Sequence, residues 1–170
     1  DGEVSLLREV ESSIEANGDA FWGVDQSLTA IHALERLSEL LPNYSARRAA
    51  KGLFLKDALQ GGRFLNRDNS AELQKLRALA GEDVGDEAIL ILDALEKSQQ
   101  IFLAYHSGER NQDGIGVSDV VREQYMIEQF DQYLDAAIRS GDSMPKAILK
   151  MGGAHVMEGI GPNGVPTLGD

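Results

Sequence analysis

The feature that most constrains this fold is a long middle segment, residues 43–140, in which helical periodicity is almost uninterrupted. Apolar residues recur there at spacings of three and four, and residues that favour helix starts and stops divide the segment into pieces. Helices are predicted over 45–59, 69–80, 86–106 and 118–139. The sequence therefore predicts a helix-dominated structure.

Two short apolar runs on either side of this segment have the composition of strands. Residues 20–25 and 146–151 are flanked by polar residues, proline or glycine, and are too short for confident helices. Helices are predicted before and after the first run, over 3–16 and 27–41. Because helix, strand and helix in this order are typical of parallel sheets, we predict an α/β fold. Its short parallel strands lie side by side, and residues 43–140 form a large helical insertion or cap.

The length of the chain, 170 residues, corresponds to one domain. We predict that residues 1–170 are either a single domain or the C-terminal fragment of a larger one, since the chain opens at Asp1 without an initiator Met. Two strands are too few for a stable covered sheet. A second copy of the chain or a missing N-terminal part is therefore expected to cover the sheet edge.

Charge and composition narrow the possible partners. Sixteen Lys and Arg residues against 28 Asp and Glu residues give a formal charge of −12. Such a chain repels polyanions on average, so we predict no nucleic-acid partner. No apolar run approaches the roughly 20 residues of a membrane span, and none is predicted. The absence of cysteine excludes disulfides and thiolate metal sites but leaves the compartment undetermined. No metal and no cofactor are predicted.

His155 is the histidine with the strongest case for function. It follows the second predicted strand after Gly152, Gly153 and Ala154. Ligands bind at the carboxyl ends of strands in parallel sheets, and glycines there let the backbone approach a ligand closely. A structural role for His155 is about equally compatible with its spacing. His32 and His106 lie on predicted helices and are interpreted as structural.

Two charged residues stand at positions that allow more than one interpretation. Asp25 ends the first predicted strand, where a carboxylate either orients an imidazole, binds a substrate cation or caps the next helix. Arg122 lies near the start of a predicted helix, where cations are disfavoured. A salt bridge to Asp119 or Glu123 is the simplest explanation, and a role in a site is the alternative.

Three segments, taken in order, resemble the C-terminal part of the erythromycin esterase-like superfamily. They are Phe21–Gln26, Arg122–Met126 and Lys150–Val156. Members of that superfamily have a strand with Gly-x-Asp, a helix with Arg-Asp-x-x-Met near its start, and a strand leading to His-Val. Glu123 stands where Asp is usual, and the superfamily's opening Gly-Glu and His-Gly element is nowhere in these residues. The resemblance therefore implies half of an active site.

What the resemblance implies chemically is hydrolysis of an ester-type small molecule. His155 is then the general base, Arg122 stabilises the oxyanion, and Asp25 belongs to the same catalytic set. The implied substrate-binding residues are Glu123, Gly152 and Gly153. Because haem-binding relatives exist in the wider superfamily, binding of a haem-like ligand is one alternative. A structural helical module without chemistry is the other.

Overall fold

The computed structural model describes residues 24–27, 29–141 and 165. This part of the chain contains five α-helices and no β-strand. The helices are α1 (Ile31–Leu40), α2 (Tyr44–Leu59), α3 (Ser70–Ala80), α4 (Asp86–Ser107) and α5 (Val117–Arg139). Helices α2 to α5 begin and end within a residue of the bounds that periodicity predicts.

The predicted α/β fold is wrong for the described residues, which are helical or irregular. Val24 and Asp25, the end of the first predicted strand, lie in irregular backbone before α1. A short apolar run does not distinguish a strand from an irregular segment that buries one side chain, and Val24 is buried in this way. Residues 20–23, the predicted helix 3–16 and the predicted strand 146–151 lie outside the described residues. The expectation that a second copy of the chain or a missing N-terminal part covers a sheet edge stays a prediction.

The start of α1 also differs from the sequence prediction. The helix predicted from residue 27 begins at Ile31. Ser27 does not cap it, because the residue at the N-cap is Ala30. The backbone N–H of Ser27 instead donates to the hydroxyl of Ser98 at 2.9 Å. That long-range hydrogen bond attaches the segment before α1 to the middle of α4.

Helices α1 to α4 form a closed ring around the main core. Helix α1 packs against α2 and α4, and α3 packs against the same two helices. Fully buried side chains line the centre, including Leu34 and Leu37 of α1 and Leu92 and Leu95 of α4. Burial of one such leucine contributes roughly 1.5–3 kcal/mol to the free energy of unfolding. The apolar side chains buried inside the ring are therefore the main source of stability. Helix α5 packs along α4 outside this ring.

One buried glutamine fixes the connection between α2 and α3. The side-chain amide of Gln99 donates to the carbonyls of Leu65 and Arg67, at 2.9 and 2.6 Å. Its carbonyl oxygen accepts from the backbone N–H of Asn69 at 3.2 Å. Because buried backbone groups need hydrogen-bond partners, this side chain replaces water for three of them.

No helix of the described residues is both long and apolar enough to cross a bilayer. This finding agrees with the prediction of no membrane span.

Candidate functional site

The candidate site lies where the segment before α1 meets α4 and α5. Ser98, which is completely buried in α4, accepts the backbone hydrogen bond of Ser27. Val24 is buried at the other end of the same short segment. These two anchors hold the intervening residues, Asp25 and Gln26, in place.

Asp25 and Arg122 form a bidentate ion pair at this place. The Nε of Arg122 donates to Oδ1 of Asp25 at 2.9 Å, and its second terminal nitrogen donates to Oδ2. The two side chains are 38% and 32% exposed, so the pair is about two-thirds buried. Two parallel N–H donors on one carboxylate restrict both the position and the plane of the guanidinium.

Several carboxylates explain why a cation is tolerated near the start of α5. The hydrogen bonds that Arg122 donates to Asp25 raise the pKa of its guanidinium most, while burial opposes that rise. The charges of Asp25, Glu123 and Asp119 raise it further. These three acids offset the unfavourable helix dipole. The salt-bridge partner of Arg122 is therefore Asp25, while Asp119 and Glu123, the partners expected from the sequence, act on it through their charges.

Asp25 engages only part of the donor capacity of Arg122. A guanidinium carries five N–H donors, and Asp25 engages two of them. The remaining donors are fixed in direction because the plane of the group is fixed. Such a group can hold a carbonyl oxygen or an oxyanion without further reorganisation.

Tyr125 lies one helical turn after Arg122 on α5 and is 7% exposed. Burial raises the pKa of its phenol, and the nearby charges of Tyr133, Asp93 and Asp25 add to the rise. The phenol is therefore a neutral hydrogen-bond donor at ordinary pH. Tyr125 lies within the segment Arg122–Met126, but the sequence did not single it out as a site residue. Its spacing of three residues from Arg122 is the signal that places both on the same side of α5.

A groove of about 190 Å³ runs between α4 and α5 beside Tyr125. Asp93 and Lys97 of α4 and Glu128 and Gln129 of α5 supply most of its polar lining. The groove therefore offers hydrogen-bond donors and acceptors, and side chains of both charges, along α5, the helix that carries Arg122.

The remaining predicted site residues fall into two groups. Glu123 is buried, at 4% exposed, in α5 next to Arg122. His155, Gly152 and Gly153 lie outside the described residues, so their predicted roles stay predictions.

The two other histidines have separate surroundings. His106 packs against the rings of Phe102 and Tyr105, and its Nε2 lies 3.4 Å from Oδ1 of Asn66. His32 is exposed on α1.

No group of three or more His, Asp or Glu residues within the described ranges is placed to hold a metal ion. In the loop before α5, one side-chain oxygen that could bind a cation already accepts backbone hydrogen bonds. Oδ1 of Asn111 accepts the backbone N–H groups of Asp113 and Ile115, at 3.0 and 2.9 Å. The side-chain oxygen of Asn111 is thus used to form the turn.

Comparisons of the chain with protein-family models, with curated proteins and with solved structures give no match. The resemblance to the erythromycin esterase-like superfamily stays a prediction.

Proposed function

We propose that this chain is part of an ester hydrolase, in which Asp25 holds Arg122 as the group that stabilises the oxyanion. The observation that carries the proposal is the bidentate pair between Asp25 and Arg122, which joins two residues 97 positions apart. Both residues also belong to the sequence segments that resemble the erythromycin esterase-like superfamily.

The small contribution of the ion pair to stability supports a role for Arg122 beyond folding. An ion pair that is about one-third exposed contributes roughly 1 kcal/mol or less to stability. The buried leucines of the helical ring contribute far more. The fold therefore has little need of a precisely oriented arginine near a helix start, whereas oxyanion stabilisation requires one.

The proposed reaction is direct attack of water on the ester carbonyl. His155 accepts a proton from the water as its oxygen bonds to the carbonyl carbon, which gives a tetrahedral intermediate with a negatively charged oxygen. Arg122 donates to that oxygen with the N–H groups that Asp25 does not engage. The intermediate then expels the alkoxide, which takes the proton from His155 and leaves as an alcohol. The other product is the carboxylic acid.

Asp25 acts in this scheme as a positioning residue. It fixes the guanidinium before substrate binds, so no free energy is spent on orienting it during the reaction. Tyr125 and the groove beside it bind the part of the substrate that does not react. The polar lining of that groove favours a substrate with several hydrogen-bonding groups.

The test is an ester-hydrolysis panel on the full-length protein, covering aryl esters, alkyl esters and lactones, with acid release followed by titration. Arg122→Gln should lower kcat/KM by roughly 10²–10³, the usual cost of one oxyanion donor. His155→Ala should lower it by roughly 10²–10⁴, the usual contribution of a general base. Circular dichroism of each variant verifies that the helices are retained.

Arg36→Gln is the matched control. Arg36 of α1 makes the same kind of pair with Glu87 of α4, with its Nε 2.8 Å from Oε1. This variant should leave kcat/KM unchanged. Absence of hydrolysis across the panel, or equal activity in Arg122→Gln and wild type, would refute the proposal.

A further inference from the structure

Helix α2 has an apolar face that the ring of helices leaves uncovered among the described residues. Ala46 and Ala50 point into the core. The opposite side carries Tyr44, Leu55 and Leu59, which are 69%, 50% and 89% exposed. Large apolar side chains that share one exposed helix face are a common mark of an interaction surface.

The same helix is strongly basic in an acidic protein. It contains four basic residues, Arg47, Arg48, Lys51 and Lys56, against one acidic residue, and so carries a net charge of +3 in a chain of −12. Lys56 pairs with Glu72 of α3 at 3.5 Å. Arg48 and Lys51 are exposed and lie between Tyr44 and Leu55.

Gly52 stands in the middle of this face, inside the helix. A Cβ added to it would meet nothing within 4 Å, so packing within the described residues does not require a glycine there. Glycine in a helix interior destabilises the helix relative to alanine. The missing side chain leaves an open place between Arg48 and Leu55, where another backbone can come close.

These features border a wide groove of about 630 Å³ between α1 and α2. Its α2 side is basic, through Arg47, Arg48 and Lys51, and its α1 side carries Glu35 and Glu39. Glu39 is held by Arg36 at 3.0 Å. The basic side of the groove is thus formed by α2, where the basic residues lie next to the exposed Tyr44 and Leu55.

We propose that this face of α2 binds an acidic amphipathic helix of a partner protein. The partner's apolar residues contact Tyr44 and Leu55, its backbone approaches at Gly52, and its carboxylates pair with Arg48 and Lys51. Helices bind in grooves in this manner through apolar anchors one turn apart. A nucleic acid carries a dense line of phosphates, which the remaining negative charge repels more strongly than the few carboxylates of one helix. A flat anionic bilayer would meet the acidic α1 side of the groove.

The binding test uses two synthetic helical peptides, each with leucine on one face, and with either glutamate or lysine on the other. Fluorescence anisotropy with the full-length protein should show the glutamate peptide binding at least tenfold more tightly than the lysine peptide. Lys51→Glu combined with Arg48→Glu should weaken that binding at least tenfold. Lys75→Glu, a charge reversal on the exposed side of α3, should not.

Gly52→Leu separates binding from folding. It should raise the melting temperature, because leucine is a better helix former and has open space, yet weaken binding of the glutamate peptide at least tenfold. The proposal is overturned if neither peptide binds at millimolar concentration, if Gly52→Leu binds as well as wild type, or if the protein binds phosphatidylserine vesicles and not the peptide. Self-association that the Arg48 and Lys51 reversals abolish would instead assign the face to a second copy of the chain.

Discussion

Arg122 of α5 holds the carboxylate of Asp25 with two parallel N–H donors, although 97 positions separate the two residues. Helix α5 otherwise packs mainly along α4. The pair therefore gives α5 a second attachment, to the segment that enters α1, and it aligns the guanidinium at the place where these elements meet.

The energetic coupling of this pair should be modest. In a double-mutant cycle with Asp25→Asn and Arg122→Gln, chemical denaturation should give a coupling of about 0.5–1 kcal/mol. Partial exposure and the charges of Asp119 and Glu123 keep the value small. A coupling near zero would mean that the two side chains do not pair in solution.

Stability at high pH should depend on Tyr125. Because the folded pKa of its phenol lies above the ordinary value of 10.0, the unfolded chain releases the proton first as pH rises. The corresponding stability is fully present below about pH 10 and is lost as pH rises through the folded pKa. Urea unfolding between neutral pH and high pH should show a steeper loss in wild type than in Tyr125→Phe. Tyr105→Phe, at an exposed tyrosine, is the control and should retain the wild-type slope.

Gln99→Leu should destabilise the protein by at least about 2 kcal/mol. The substitution leaves the carbonyls of Leu65 and Arg67 and the N–H of Asn69 without their side-chain partner. The neighbouring Gln100 is exposed, so Gln100→Leu should change the unfolding free energy by no more than about 0.5 kcal/mol. Equal effects of the two substitutions would show that Gln99 is not buried as described.

Leu34→Ala should cost about 2–5 kcal/mol, because Leu34 is completely buried at the centre of the ring and its removal leaves a cavity. Leu59→Ala removes the same atoms from a side chain that is largely exposed. Its effect on the melting temperature should be small by comparison. Similar losses in both variants would contradict the assignment of the core.

Periodicity predicted α2 to α5 well because each has caps or stops in its own sequence. Asn43 precedes α2 and its side chain accepts the N–H of Ala46 at 2.8 Å, and Gly108 ends α4 in the left-handed conformation. Such signals are local. The strand predicted over 20–25 had no comparable signal, and no strand of the described ranges lies beside the buried Val24.

The sequence could predict which residues belong to the site, but not the contacts that bring them together. Asp25 and Arg122 were both selected from the sequence, but on the expectation of a sheet edge that the described residues do not contain. What brings the two together is the hydrogen bond from Ser27 to Ser98 and the packing of α5 on α4. Long-range contacts of this kind produce no periodic pattern in the sequence. Tyr125 was missed as a site residue because a buried phenol and a core aromatic have the same spacing.

The most direct test of the central claim is chemical rescue of Arg122→Ala in the full-length protein, with ester hydrolysis measured as millimolar guanidinium is added. If Arg122 supplies hydrogen-bond donors to the oxyanion, guanidinium should bind beside Asp25 and restore the rate by about tenfold or more. The same addition should have no effect on wild type or on His155→Ala. An Arg122→Ala protein that hydrolyses esters at the wild-type rate, or one that guanidinium does not rescue, would contradict the account.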